Sequence, residues 1–429
     1  MTRISGAGGT GGAGGIGRRD ATGATAAVVA ALAVVAGTLA GATGAAAAAG
    51  GMPYTKVEHL ARGVTYSAFT TTASHGTVHG HVLTVDLRAP GVRVDLLTPR
   101  AVAARASVSR LANARHALGA VNGDFFDITE GQHPGVAPTG SADGPEIAAG
   151  RALKAAVPRA QRFGPGLPPG DTAQDVLGVG VDHKARLDRL TLRGTVGTAH
   201  GSYGLGGYNQ YALPDNSIGA YTHDWGTVSR RRAVCGSDTS RGAGCSADTY
   251  EAAVRSGRVV SVAAKPGAGA IPAGTTVLLG RDAGADTLRS VLHVGDQVRV
   301  DERLAPTVSR TAYTFAVGGF PVLRGGRPAA GLDAGTAATR TAAGFGDRGA
   351  TLYLLALDGS AESRAGLTVA ELARVMRRIG ADAAVNLDGG GSSTLVTRGR
   401  NQRVVVVRNH PSGGAERPVA NAIGILTGR

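Results

Sequence analysis

Residues 383–396 read AAVNLDGGGSSTLV, and this stretch organises our prediction of both the fold and the site. Its first five residues have the length and apolar composition of a buried strand. Asn386 and Asp388 are two residues apart, so on an extended strand their side chains lie on the same face. The strand is therefore predicted to end in an amide and a carboxylate that face the same ligand.

The turn that follows this strand is rich in glycine and hydroxyl groups. Glycine adopts backbone angles that other residues avoid, so successive N–H groups can converge on an anion, and serine hydroxyls add donors. The alternative is a tight turn between two strands. The turn residues in question are Gly389, Gly390, Gly391, Ser392 and Ser393.

A second polar strand end lies just upstream. Residues 351–359, TLYLLALDG, form an apolar strand that ends in Asp358, and a helix separates it from residues 383–387. Thr368 and Glu371 form the capping box that begins this helix. If both strands belong to one parallel sheet, Asp358 and Asp388 lie at the same carboxyl edge, where such sheets bind ligands.

Residues 119–127, GAVNGDFFD, repeat the pattern of an apolar strand followed by Asn and Asp. Asn122 and Asp124 are again two apart, as Asn386 and Asp388 are. The alternative is an Asx turn flanked by two core phenylalanines. We interpret the repeated pattern as a second contribution to one site.

Other types of site are not supported by the sequence. The chain contains no Walker lysine and no H-E-x-x-H or EF-hand motif, and Ser392 does not fit G-x-S-x-G. His75, His79 and His81 have ligand-like spacing without accompanying carboxylates. We therefore predict no metal and no cofactor, with a divalent cation left open.

Composition restricts the partners. The 429 residues carry a formal charge of +14, but aromatic residues make up only 4% and lysines only four of the 45 basic residues. Without a basic patch interleaved with aromatics, we predict no nucleic-acid binding. An anionic cell-envelope polymer remains a candidate partner.

The N-terminal segment and the cysteines indicate export. Residues 1–50 contain arginines, an apolar run at 24–40 and a small-residue tract, as a signal peptide and leader do. The apolar run is short for a membrane span, so none is expected in the mature chain. Cys235 and Cys245, the only cysteines, are predicted to form a disulfide in a secreted protein.

We predict one α+β catalytic domain over residues 51–429. It has a central mixed β-sheet, packed helices and a β-rich insert at about residues 175–310. The glycine-rich composition, with 68 glycines, favours many turns and short strands over a helical bundle.

Several of these stretches together resemble the phosphodiester glycosidase family, in family order from about residue 78 to 428. The middle, 131–310, matches loosely. The octet NLDGGGSS at 386–393 is the most specific match. The others are NGDFF at 122–126, FAVGGFP at 315–321, RTA at 340–342, GLTVAEL at 366–372 and ERPVAN at 416–421.

This resemblance implies hydrolysis of a sugar-1-phosphodiester at the anomeric carbon, releasing free sugar and a phosphomonoester on a glycan or glycolipid. On that basis we expect Arg340, Arg417 and the glycine turn to bind phosphate. Asp388 is the leading carboxylate, as nucleophile or base. The other candidate carboxylates are Asp124, Glu416 and Asp358, and the amides expected to orient sugar hydroxyls are Asn122 and Asn386.

Two other functions are considered beside this one. A phosphodiesterase would cleave the P–O bond, but the clustered ligands of a two-metal site are missing from the sequence. A non-catalytic cell-wall glycan-binding protein would not need the acids around the glycine turn. The sequence leaves open the sugar, the aglycone, and retention or inversion at the anomeric centre.

Overall fold

The computed structural model describes residues 51–359 and 365–428. The predicted leader, residues 1–50, lies outside the described residues. The 25 described strands form four sheets, and three α helices accompany them. The α+β prediction is therefore confirmed only in part, because sheets dominate and little helix packs on them. None of the helices in the described ranges has the length and hydropathy needed to cross a membrane.

The first sheet has eight strands, in the spatial order β1-β2-β3-β21-β20-β22-β18-β19. Numbered along the whole chain, they are β1 (Tyr54–Ala61), β2 (Val64–Ala73), β3 (Gly76–Asp86), β18 (Phe320–Arg324), β19 (Arg327–Pro328), β20 (Thr341–Gly346), β21 (Thr351–Leu357) and β22 (Ala383–Leu387). Its central strands are apolar on both faces because both faces are buried.

The second sheet has seven strands and the third has five. The second consists of β6 (Glu146–Ala148), β7 (Arg151–Lys154), β8 (Asp175–Gly180), β9 (Ala185–Thr198), β10 (Gly201–Gly204), β16 (Arg299–Pro306) and β17 (Tyr313–Gly318). The third consists of β11 (Gly207–Tyr208), β12 (Ile218–Tyr221), β13 (Thr249–Arg255), β14 (Arg258–Ala263) and β15 (Thr275–Arg281). The separate insert at about 175–310 stays a prediction.

The fourth sheet, ordered β24-β23-β5-β25-β4, pairs the strand that carries Asn122 with the strand that follows the glycine turn. Its strands are β4 (Val92–Leu97), β5 (Gly119–Asn122), β23 (Leu395–Thr397), β24 (Val406–Val407) and β25 (Ala422–Thr427). The helices are α1 (Val108–Ala114), α2 (Ala283–Val291) and α3 (Val369–Arg378). Cys235 and Cys245 form the predicted disulfide.

The first sheet separates two hydrophobic cores. On one face, α3 packs through Leu372 and Met376 in a cluster that includes Phe320 and Ala342. On the other face, side chains of the second and fourth sheets pack in a cluster that includes Leu387. The capping box of Thr368 and Glu371 is present as predicted. We call the face of the first sheet that packs against α3 the helix face, and the face that packs against the second and fourth sheets the sandwich face.

The first sheet contains both β21 and β22, but it is not the parallel sheet on which the expected placement of Asp358 and Asp388 was conditional. β20 lies between them and pairs antiparallel with each. The two strands still run in the same direction, so both end at one edge of the sheet, about 10 Å apart because each strand spacing is about 4.8 Å. Antiparallel pairing is found at every strand contact of the described residues except β11 with β12.

Candidate active site

The two Asn-x-Asp stretches meet at this edge. The Asp388 backbone N–H donates to the Gly123 carbonyl at 3.0 Å. In the opposite direction, Asn122 Nδ2 donates to the Asp388 carbonyl at 2.7 Å. The ends of β22 and β5 are thus joined by reciprocal hydrogen bonds, and the similarity seen in the sequence corresponds to contact in the structure.

Asn122 is engaged in holding this junction. Its Oδ1 accepts hydrogen bonds from the Thr341 hydroxyl at 2.9 Å and from the Thr394 backbone N–H at 3.0 Å. Both polar atoms of this buried side chain thus have protein partners, and one N–H of Nδ2 remains. Asn122 joins the two strand ends, and its contact with a sugar hydroxyl stays a prediction.

The glycine turn is mostly satisfied by the protein itself. Three of its N–H groups donate to carbonyls: Gly390 to Thr339 at 2.8 Å, Ser392 to Gly389 at 3.1 Å and Ser393 to Gly390 at 3.2 Å. These three N–H groups therefore do not converge on an anion as expected. Glycine is required at Gly390, where φ is +57°, and at Gly389, where a Cβ would lie 2.5 Å from the Thr339 oxygen.

Arg417 lies against the same turn. Its guanidinium occupies the position that a Cβ on Gly391 would take, and Nη1 approaches Ser392 Oγ at 3.5 Å. Arg417 itself is exposed. The absence of a side chain at Gly391 therefore lets a mobile cation reach the turn next to Asp388.

Asp388 is partly exposed, but most of its surroundings are protein. This burial raises the pKa of its carboxyl from 3.8 to about 6, even though the Ser392 hydroxyl and the Arg417 charge lower it. The nearby charge of Asp124 raises it further. A carboxyl with this pKa is ionised at neutral pH and titrates in mild acid, a property that recurs in catalytic carboxylates.

Arg340, Asn386 and Asp388 lie on the helix face. Strand alternation places them there because their chain neighbours Thr341 and Leu387 point to the sandwich face. Arg340, only 7% exposed, donates to the carbonyls of Leu367 and Thr336, both at 2.8 Å. No carboxylate among the described residues lies within 4.0 Å of its guanidinium. Among the described residues, Asp333 is the acidic group that acts on this buried charge, and it does so without a direct ion pair.

Asn386 is fully buried, and neither its Oδ1 nor its Nδ2 has a hydrogen-bond partner among the described residues. A buried amide left unpaired costs about 1–3 kcal/mol. The Arg340 cation and the unpaired amide of Asn386 thus lie on one face of the first sheet.

Asp124 is buried more deeply than Asp388. Its oxygens accept hydrogen bonds from the N–H groups of Gly144 at 2.6 Å and Phe125 at 2.8 Å. Burial raises the pKa of this carboxyl against those bonds and against the charges of Arg162 and Lys154. Asp124 is thus an electrostatic neighbour of Asp388, held in a fixed position by backbone groups.

Asp358 is not brought together with Asp388. Leu357 belongs to the helix-face core, so Asp358 points to the sandwich face, where it meets His81 Nε2 at 3.0 Å. The His410 backbone N–H also donates to it at 2.8 Å. Burial acts to raise the pKa of Asp358, but these two histidines lower it to about 2, as expected of a structural anion.

Glu416 is engaged elsewhere as well. One of its oxygens accepts the Ser109 backbone N–H at 2.9 Å, and the other accepts the Ser109 hydroxyl. Its carboxylate thus binds the first turn of α1, where a negative charge is favoured by the free N–H groups. This geometry does not direct it at Asp388.

Sequence reasoning missed three residues that build the site. Asn409 links its walls, because its Nδ2 donates to Ser393 at 2.9 Å and to Leu357 at 3.1 Å. Asn421 donates to Glu146 at 2.7 Å and accepts from the Asp124 N–H at 3.0 Å. Lys154 is fully buried, and its charge acts to lower the pKa of Asp124. Only Asn421 lay inside a stretch that the sequence had singled out.

No arrangement of three or more His, Cys, Asp or Glu side chains suited to a metal ion occurs in residues 51–359 and 365–428. His79 bonds Thr70 at 3.0 Å, and His81 bonds Tyr66 at 2.8 Å as well as Asp358. Both histidines thus have protein partners.

Comparison with known proteins finds one family. Residues 248–426 match the family described as phosphodiester glycosidase. No curated protein matches the chain.

Among solved structures, a hypothetical protein from Synechocystis has a TM-score of 0.67 at 20% identity, over 88% of this chain and 64% of its own. A protein from Burkholderia pseudomallei has a TM-score of 0.61 at 24% identity, over 82% and 74%. Both similarities concern the fold alone.

The zebrafish N-acetylglucosamine-1-phosphodiester alpha-N-acetylglucosaminidase catalytic domain has a TM-score of 0.43 at 16% identity, with 88% of each chain covered.

Proposed function

We propose, from the membership of residues 248–426 in the phosphodiester glycosidase family, that this protein hydrolyses sugar-1-phosphodiesters at the anomeric C–O bond. The products are a free sugar, of the N-acetylglucosamine type, and a phosphomonoester on a glycan or glycolipid. One observation carries the proposal: Asp388, the buried Arg340 and Asn386, whose amide has no partner among the described residues, share the helix face at one sheet edge.

Each of these groups has a role in this reaction. Phosphate is a good leaving group, so the bond needs charge stabilisation more than protonation by an acid. Arg340 and Arg417 would bind the phosphate and stabilise the electron pair that moves onto it as the C–O bond breaks. Asn386 would hydrogen-bond the sugar hydroxyls.

Asp388 would act at the anomeric carbon. As a base it would take a proton from the attacking water, whose oxygen becomes the new sugar hydroxyl. As a nucleophile it would form a glycosyl ester that water then hydrolyses. Asp124, the neighbouring carboxylate, is the candidate partner, and its charge state would set how readily Asp388 ionises.

We also propose that the protein is exported. The leader-like residues 1–50 and the disulfide between Cys235 and Cys245 support this, because disulfides persist in oxidising compartments. A cell-envelope glycan that carries a phosphodiester would then be accessible to it.

Product analysis in H₂¹⁸O tests the reaction. Purified protein is incubated with a GlcNAc-α-1-phosphodiester, and products are followed by ³¹P NMR and mass spectrometry. We expect ¹⁸O in free GlcNAc and an unlabelled phosphomonoester. Label in a phosphate product together with GlcNAc-1-phosphate would show P–O cleavage instead. Absence of turnover by folded protein on a panel of sugar-1-phosphodiesters would favour a binding role.

The raised pKa of Asp388 predicts how kcat/KM falls at acid pH. Because the base or nucleophile must be ionised, kcat/KM should fall tenfold per pH unit below about pH 6 and be flat just above it. The measurement is a kcat/KM profile from pH 4 to 8 at constant ionic strength. A profile that stays flat down to pH 4.5 would contradict the assignment of Asp388.

A further inference from the structure

A basic and apolar hairpin lies beside the site. It comprises β23, a connecting loop and β24, residues 395–407, and we call it the basic hairpin. From residue 389 to 415 the chain contains four arginines and no acidic residue. The described structure exposes Arg400 and Arg403, and no acidic side chain of the described residues lies within 4.0 Å of either.

The hairpin also exposes apolar surface. Val404 is 57% exposed, Val406 36% and Val407 37%. Val405, just before β24, is buried. Val406 and Val407 are consecutive strand residues on opposite faces of β24, and both faces are exposed at this edge strand. Clustered exposed valines are unusual on a soluble surface, where apolar side chains are scattered singly, and such clusters mark interaction sites.

The base of the hairpin is firmly anchored. Asn113 of α1 accepts hydrogen bonds from the Val405 N–H at 2.9 Å and from Arg398 Nη2 at 3.2 Å. Arg408, just beyond β24, pairs with Glu58 at 3.1 Å and stacks on Tyr66. Arg398 and Arg408 therefore hold the hairpin in place, and the outward charges of Arg400 and Arg403 remain free.

The returning strand leads directly into the candidate active site. Asn409 bonds the Ser393 carbonyl, and the Ser412 hydroxyl donates to the Gly390 carbonyl at 3.2 Å. Only the base of the hairpin therefore adjoins the site. Its tip extends past the Gly119 end of β5, away from Asn122.

We infer that the basic hairpin docks the protein on an anionic lipid surface. Arginines attract anionic headgroups, while exposed valines insert at the boundary of headgroups and acyl chains. A soluble polyanion would use the arginines and leave the valines in water, so the combination favours a bilayer. The inference does not depend on the proposed reaction, because it concerns attachment alone.

Vesicle sedimentation tests it with full-length protein. Sucrose-loaded vesicles of phosphatidylcholine, with or without one third phosphatidylglycerol, are pelleted at 50 and 300 mM salt. We expect binding only to the anionic vesicles and at least tenfold weaker partitioning at the higher salt. No binding to anionic vesicles at 50 mM salt would overturn the inference.

Two variants separate charge from insertion. Arg400→Glu with Arg403→Glu should weaken partitioning at least tenfold, and Val404→Ser with Val406→Ser and Val407→Ser about three- to tenfold. The matched control is Val308→Ser with Arg310→Glu, an exposed pair outside the hairpin, which should bind as the parent does. Circular dichroism and melting curves check the fold of each variant.

If the serine variant partitions like the parent, the valines do not insert and the bilayer inference fails. The same holds if the protein binds soluble polyphosphate but no vesicles. Hydrolysis of a small soluble diester should be unchanged in all of these variants, because none of the altered residues belongs to the proposed active site.

Discussion

Asp388→Asn should lower turnover of a sugar-1-phosphodiester by at least about 10³-fold while the protein stays folded. The change keeps the shape of the side chain but removes the charge needed at the anomeric carbon, whether as base or as nucleophile. Loss of general acid–base catalysis alone typically costs about 10²–10⁴-fold. The measurement is kcat/KM on the GlcNAc-α-1-phosphodiester.

The matched control is Asp358→Asn. Both aspartates end strands at the same sheet edge, but Asp358 faces the sandwich side and binds His81 and His410. Its loss should leave kcat within about tenfold of the parent and should instead lower stability. Equal activity losses in the two variants would contradict the assignment of separate roles.

The two variants should also change the free energy of unfolding in opposite directions. The Asp388 carboxyl has a pKa raised to about 6, so the parent loses stability as pH rises from about 4 to 6. Asp388→Asn should therefore be roughly 1–3 kcal/mol more stable at pH 7.5, since one pKa unit is about 1.4 kcal/mol.

Asp358 behaves in the opposite way. Its pKa is lowered to about 2, so its stabilisation is present above the unfolded pKa and is lost as pH falls from about 4 to 2. Asp358→Asn should therefore be roughly 1–2 kcal/mol less stable than the parent at pH 7.5. Urea unfolding at pH 7.5 measures both effects.

The sequence predicted the local parts of this site well. The strand of residues 383–387, the capping box of α3 and the disulfide depend on neighbours in the chain, and all three are confirmed. The repeated Asn-x-Asp pattern also indicated a shared location. These signals are local because hydrogen-bonding side chains at fixed spacing act within a few residues.

The expectations about Asp358 and Glu416 that the structure does not support depended on contacts between residues far apart in the chain. The β-α-β pattern suggested neighbouring parallel strands, but β20, which precedes both in the chain, is inserted between them. Asp358 and Asp388 point to opposite faces of the first sheet. The face that each side chain takes depends on the register of its strand, which a single sequence does not encode locally. The engagement of Glu416 with Ser109 is likewise a contact across 307 positions.

Arg340→Met should lower kcat/KM for the phosphodiester by about 10²–10³-fold, because one positioned donor to a developing charge is worth about 3–4 kcal/mol. Arg340 is buried without a carboxylate among the described residues, so an anionic leaving group can be its counter-ion. Arg417→Met should cost about tenfold, since an exposed cation is screened by water.

A substrate whose leaving group contains no phosphate distinguishes phosphate binding from a structural role. Arg340 also donates to the Thr336 and Leu367 carbonyls, so a purely structural role predicts that its loss disturbs the edge of the sheet in general. If it binds phosphate, Arg340→Met should leave hydrolysis of p-nitrophenyl-α-GlcNAc within about threefold of the parent and raise the inhibition constant of inorganic phosphate. If both substrates lose activity equally and phosphate inhibits as before, Arg340 supports the fold rather than the leaving group.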